Sequence, residues 1–266
     1  MRLFVVLLVS AVFSFKSFAS ETQWYDHDGM LQTRIVATSM SGDAGKKLLA
    51  WEARLAPGWK TYWRSPGEAG LPVKVSSDGE DIEVLYPFPE RFELFGLETY
   101  GYGKQVVMPF YVETASAQVP IKVDFMVCKD ICVPFNIDYS IDTSDVENSI
   151  HDIRVSSWMD KVPAKTGDDG AGLEILSAKL VGKMGHQKII VDAKADGSLA
   201  KADMLAEIGT IAHFGKPKKR VMPDGKTIRF VLSAQTGNKK FDLKGNQVRL
   251  SFTNGRGASI ERFIDL

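Results

Sequence analysis

Cys128 and Cys132 are the only cysteines in the chain, and just Lys129, Asp130 and Ile131 separate them. Two thiols so placed can form a reversible redox pair, an inert cross-link or part of a soft-metal site. As a cross-link the pair is weak. Closing a five-residue ring constrains the unfolded chain by only about 2 kcal/mol on the chain-entropy estimate. Tight rings also favour labile disulfides over resistant structural ones. Thiolate attack needs no histidine base; Lys129 favours a Cys128 thiolate and Asp130 opposes it. Thiol–disulfide exchange is therefore the favoured reading, with the staple and the metal site as alternatives.

The flanking residues say how such a pair must be held. Residues 121–141 read IKVDFMVCKDICVPFNIDYSI, two alternating runs around a short polar connection. On one straight strand four residues span about 13 Å, whereas a disulfide needs Cα atoms roughly 4.4–6.8 Å apart. The chain must reverse between the cysteines or coil into a helical turn, and the strand-like flanks favour a hairpin. Ile121, Val123, Phe125 and Val127 then share one face, and Lys122, Asp124, Met126 and Cys128 the other. On the return strand Val133, Phe135, Ile137, Tyr139 and Ile141 alternate with Cys132, Pro134, Asn136, Asp138 and Ser140. Both cysteines are expected on the polar face, open to a partner's thiol.

Beyond this hairpin, short strands dominate. Residues 32–38, 47–55, 73–75, 82–86 and 106–112 continue the series, punctuated by Pro57-Gly58, Ser65-Pro66-Gly67, Pro87 to Pro89 and Gly101 to Gly103. They predict an antiparallel β-sandwich over residues 20–142. Residues 143–172 differ: Ser144 or Asp145 can N-cap a helix with Val146, Ile150, Ile153 and Trp158 on its apolar face. Pro163 stops it, and the polar, glycine-rich stretch 165–172 reads as a linker. Residues 173–266 carry strand candidates at 174–180, 188–193, 204–208, 227–232, 247–252 and 258–264. Turn signals at Pro223-Asp224-Gly225 and Asn254-Gly255 separate some of them. The predicted fold class is all-β, two β-sandwich domains joined by a short helix and linker. The role of the second domain is not legible; its His186 and His213 stand singly, without metal-ligand spacing.

Residues 1–19 read as a secretory signal, with Arg2, an apolar run from Leu3 to Phe15, and small residues at Ser17 and Ala19. The run is too short for an ordinary membrane span, although Lys16 leaves an uncleaved anchor as an alternative. Export admits disulfides, and two cysteines are too few for a disulfide scaffold. The chain balances 33 basic against 33 acidic residues; losing Arg2 and Lys16 with the signal leaves a net charge of −2. With no basic block, nothing draws nucleic acid or an anionic membrane surface. No later stretch approaches a transmembrane helix, so no membrane span is expected after signal cleavage.

Three blocks carry a family resemblance: Gly58-Trp59-Lys60-Thr61-Tyr62-Trp63, Phe92-Glu93-Leu94-Phe95-Gly96, and Val127-Cys128-Lys129-Asp130-Ile131-Cys132-Val133-Pro134. They resemble the N-terminal periplasmic domain of the DsbD family of transmembrane disulfide reductases, most closely its ScsB-type branch linked to copper tolerance. The resemblance implies an immunoglobulin-like first domain in the periplasm, with no cofactor. It implies that Cys128 and Cys132 take electrons from a membrane-embedded disulfide reductase and pass them to thioredoxin-like periplasmic proteins. It further implies a cap at Leu94, Phe95 and Gly96, with Phe95 shielding the disulfide until a partner docks. Independently, residues 92–102 read as an aromatic, glycine-rich loop able to open and close. Tyr62, Trp63, Lys129 and Pro134 are expected at the partner surface, and Cys132 resembles the partner-facing cysteine. The chain departs from the better-known pattern in having three residues, not five, between the cysteines. It also lacks a membrane core and a thioredoxin-like domain, so a free-standing relay is expected.

Two other classes stay open. Cys-x3-Cys with an internal aspartate also resembles Sco-type copper chaperones, in which a distant histidine completes a Cu(I) site. That alternative, a copper-binding protein for copper tolerance or cytochrome maturation, uses Cys128, Cys132 and His27, although the strand-rich flanks do not suit a thioredoxin-type fold. The other is a non-redox binding module presenting Trp59, Tyr62 and Trp63, aromatics that more often serve core or turn packing.

Overall fold

The computed structural model describes residues 20–94, 96–144, 146, 149–209, 211–237 and 241–266. The expected signal at residues 1–19 lies outside them. The first half of the chain contributes β1 (Tyr25–His27), β2 (Leu31–Ser41), β3 (Lys47–Leu55), β4 (Lys60–Gly67), β5 (Lys74–Ser77) and β6 (Glu80–Ile82). It continues with β7 (Glu90–Leu94), β8 (Leu97–Tyr102), β9 (Gln105–Val112), β10 (Gln118–Cys128) and β11 (Cys132–Asp142). One antiparallel sheet has the order β1-β2-β3-β9; the other runs β6-β5-β10-β4-β8-β7, with β11 also paired to β10. Alternation drives the packing: every second residue of β10, from Val119 to Val127, is buried between the sheets. Trp51, Trp63, Phe110 and Met108 fill the same layer at 0 % exposure. Each such side chain stabilises the sandwich by about 1.5–3 kcal/mol through burial.

Three local expectations change. Residues 92–102, expected as a loop, form the β7–β8 hairpin, with Phe92 opposite Thr99 and Arg91 opposite Tyr100. Gly101 there marks close strand approach rather than a loop, since a Cβ would collide with the Thr61 carbonyl oxygen of β4. The predicted strand at 82–86 ends at Ile82, beyond which Val84 makes only an isolated bridge to Phe110. Its neighbour Pro109 accepts from Leu85 N–H but has no N–H to return, so the ladder stops.

The helix also differs. α1 (Asp152–Met159) starts later than Ser144, whose N–H and Oγ instead bond to Asp142; Asp145 lies outside the described residues. With that start, Val155 and Trp158 face the sandwich and are buried, while Ile150 and Ile153 are 83 % and 87 % exposed.

The second half builds β12 (Leu173–Val181), β13 (Lys188–Ala195), β14 (Asp203–Glu207) and β15 (Ala212–Phe214). β16 (Lys218–Val221), β17 (Thr227–Thr236), β18 (Gln247–Thr253) and β19 (Ser259–Asp265) follow. Sheet β12-β13-β17-β15, with β16 against β17, faces sheet β14-β18-β19 across a core that includes Ile189, Val191, Phe230, Leu250 and Phe252. Ala164 already pairs with Ile260, so the segment after α1 joins this second core. The fold is all-β, as expected from the strand pattern.

Candidate redox site

The β10–β11 ladder sets Cys128 directly opposite Cys132. Their Cα atoms are 4.2 Å apart and the sulfurs are bonded. Lys129-Asp130-Ile131 makes the reversal, with Lys129 N–H donating to Ile131 O at 3.1 Å. Ile131 projects from the tip, 64 % exposed.

Parity puts both cysteines on the face away from the main core, but that face is not bare. β4 runs beside β10 with Thr61 opposite Val127 and Lys60 opposite Cys128. Lys60 and Tyr62 therefore share the cysteine face, while Thr61 and Trp63 turn inward. Thr61 Oγ donates to Met126 O at 3.0 Å and pins the register. The Tyr62 ring lies with Cys128 and Met126 in a small apolar cluster separate from the main core. Gly70 backs that ring: a Cβ there would collide with it, and the φ of +105° suits glycine alone. The outcome is asymmetric, with Cys128 at 0 % exposure and Cys132 exposed. The expectation of two open cysteines is thus corrected, because β4 lays a tyrosine over one of them.

Tyr62 also reaches the other sulfur, its Oη lying 3.9 Å from Cys132 Sγ. Burial pushes the Tyr62 phenol above its usual range, so it stays protonated at neutral pH. Chemically, Cys132 carries the sulfur that an incoming thiolate can reach, and Cys128 would then be the leaving group. Lys60, the cross-strand neighbour of Cys128, places a cation on the same face, its Nζ held 4.9 Å over the Phe92 ring. Sequence reasoning included Lys60 in a motif without giving it a role; counting parity along β4 would have found it once its pairing with β10 was known. Lys129 crosses the neighbouring turn, its stem lying against Gly58.

Of the expected partner surface, Lys129 and Pro134 are exposed, whereas Tyr62 is 2 % exposed and Trp63 is 0 % exposed. Trp63 is a core residue, edge-on to Tyr100, because β4 alternates. Trp59 is half-buried against the same core. The expected shield Phe95 lies outside the described residues. Leu94 pairs with Leu97 in the β7–β8 ladder, and Gly96 is exposed at the turn between them.

The alternative copper set is not brought together. His27 is buried on the core side, its Nε2 2.7 Å from Thr33 Oγ1 and its ring against Phe125 and Phe135. Both phenylalanines lie on the opposite face of the hairpin from the cysteines. Among the described residues no group of three or more His, Cys, Asp or Glu is placed to hold a metal ion.

Comparisons with known proteins bear on both halves. Residues 27–141 match the family "Thiol:disulfide interchange protein DsbD, N-terminal". Residues 161–262 match a domain of unknown function (DUF8393). The crystal structure of the N-terminal periplasmic domain of ScsB from Proteus mirabilis superposes with a TM-score of 0.77 at 21 % identity, covering 93 % of this chain and 99 % of that one. At that identity the likeness establishes the fold, and it extends over both halves of the chain. A marsupial T cell receptor aligns over 89 % of this chain and 96 % of its own at a TM-score of 0.24 and 9 % identity, too loosely to argue from. No curated protein matches. Among the described residues no helix is long and apolar enough to cross a membrane.

Proposed function

We propose, on the premise that residues 27–141 are a domain of the DsbD N-terminal family of thiol:disulfide interchange proteins, that this chain relays electrons through Cys128 and Cys132. The observation that carries the reading is the asymmetry of the pair, an exposed Cys132 bonded to a sealed Cys128. In the reducing direction the Cys132 thiolate attacks one sulfur of a partner's disulfide, and the other sulfur leaves as a thiolate. The Cys128 thiolate then attacks Cys132 Sγ, restores the intramolecular bond and releases the partner's second thiolate. Two electrons pass to the partner, whose thiolates take protons from solvent. Recharging runs the steps backward, with a donor thiolate attacking Cys132.

Thioredoxin-like proteins are the acceptors in this reading, and a membrane-embedded disulfide reductase is the donor. The periplasmic origin of the ScsB domain supports the periplasm as the compartment. Lys129, Ile131 and Pro134, exposed around Cys132, border the surface a partner would meet. Phe95 retains its proposed part as the shield of the disulfide.

Trapping tests the proposal. Cys128→Ser, incubated with an oxidised thioredoxin-like protein, should accumulate a mixed disulfide at Cys132. Cys132→Ser should accumulate far less, because its remaining thiol lies beneath Tyr62. No adduct with either variant, or equal adducts with both, would overturn the reading. Stoichiometric Cu(I) binding that needs both cysteines, without any trapping, would favour the copper alternative.

A further inference from the structure

The second domain docks on three strands of the first, the ones that surround the cover of Cys128. On β4, two residues past Tyr62, Arg64 forks onto Glu207, with Nε 3.2 Å from Oε1 and Nη2 2.7 Å from Oε2. The same Nη2 donates to Glu261 Oε2 at 2.6 Å and to Ser251 Oγ at 3.1 Å. On β7, Arg91 donates from Nε to Asp203 Oδ2 at 2.6 Å and from Nη2 to Met204 O at 2.8 Å, and it pairs with Glu98 of β8. On β8, Tyr100 Oη donates to Phe214 O at 2.8 Å, and Glu98 accepts from Lys216 N–H at 2.9 Å. Leu205 of β14 is buried in the first domain's core.

These ion pairs are largely desolvated, with side-chain exposures of 14 % for Arg64, 11 % for Glu207 and 3 % for Glu261. Buried ion pairs are a poor source of net stability compared with apolar packing of similar volume. What they supply here is orientation: a planar guanidinium fork held by fixed carboxylates accepts one placement of the domains, whereas an apolar seam can slide. Both arms lead to the redox pair. Arg64 is on the same strand as Tyr62. Arg91 precedes Phe92, whose ring holds Lys60, and Lys60 stands opposite Cys128.

We infer that Arg64 and Arg91 are positioning residues, and that the second domain is a brace holding β4 and the β7–β8 hairpin so that Tyr62 stays closed over Cys128. The inference rests on the exchange reading, but its consequence is measured without any partner. In the reduced mature chain, alkylation by iodoacetamide is followed at each cysteine by mass spectrometry, with the exposed Cys132 as internal reference. Tyr62→Ala sets the rate for an uncovered Cys128.

Arg64→Gln and Arg91→Gln should raise the Cys128-to-Cys132 rate ratio on the order of tenfold, as expected when a local opening becomes easier. Glu207→Gln, on the far side of the seam, should do the same as Arg64→Gln, and the double variant should add little. Arg64→Lys, which keeps the charge but loses the fork, should restore the ratio only partly. Arg229→Gln, which breaks an exposed pair with Asp192 away from the seam, should leave it unchanged. Should an arginine variant not fold, Asp203→Asn and Tyr100→Phe remove single seam contacts and carry the same test. A ratio unchanged in every folded seam variant would overturn the inference. Failure of mixed-disulfide trapping with an altered ratio would instead sink the exchange reading alone.

Discussion

The Tyr62 hydroxyl stands 3.9 Å from Cys132 Sγ while its ring seals Cys128. One side chain therefore touches both ends of the disulfide, packing against one cysteine and reaching the other with its polar tip. Such a residue can influence both the stability of the hairpin and the reactivity of its sulfurs.

Removing the ring separates these effects from those of the hydroxyl. Tyr62→Ala should lose about 3 kcal/mol of stability, the usual scale for emptying a buried aromatic site, and should expose Cys128 to alkylation. Tyr62→Phe keeps the cover and should keep Cys128 protected. Urea unfolding and site-resolved alkylation check both. Equal protection of Cys128 in the alanine variant would show that the ring is not its cover.

Gly70 should be nearly as sensitive as the tyrosine it supports. Gly70→Ala adds a Cβ that collides with the Tyr62 ring, at a backbone φ of +105°. The expected loss is about 1–3 kcal/mol from overpacking and left-handed strain, with faster Cys128 labelling. An alanine variant as stable and as protected as the parent would contradict the contact.

Breaking the disulfide itself should matter less to the fold. The ring spans five residues, so reduction should lower the unfolding free energy by no more than about 2 kcal/mol. Urea curves of the oxidised and reduced chain measure the difference directly. A loss much beyond that would identify the bond as a structural staple.

Acidification should weaken the protein before its carboxylates titrate. His27, His151 and His213 all have pKa values depressed below the ordinary 6.5, with burial the first cause in each. The unfolded chain then binds protons where the folded chain does not, so this contribution is complete above pH 6.5 and declines as pH falls through the folded values. The urea midpoint should drop between about pH 7 and about pH 5, and His27→Gln should flatten part of that slope. A midpoint constant over that window would refute the assignment.

The hairpin and the face its cysteines occupy were legible because both are local. A β-strand alternates with period two, and a short disulfide-compatible spacing requires reversal, so neither conclusion needed a distant residue. The all-β class was legible for the same reason, in runs such as 47–55 and 188–193 that recur in the structure almost unshifted. The helix was legible as an element but not as a surface. Ile153 and Val155 are both apolar and two residues apart, and only the start at Asp152 and the sheet beside it put one in water and the other in the core.

What the sequence by itself determined, then, is the pair, its ring size and its parity. Whether a cysteine on that face is open depended on which strand lies alongside, and that is a matter of long-range pairing. Thr61 opposite Val127 puts Tyr62 over Cys128 and Trp63 in the core; a shift of one residue would exchange them. The arginines at the seam are the same case in charge. Arg64 and Arg91 belong to no sequence motif, and they gain their partners only because folding brings Glu207, Glu261 and Asp203 against them from the second half of the chain. Local periodicity is written in neighbouring residues, whereas burial and ion pairing belong to contacts that exist only after the sheets and domains have assembled.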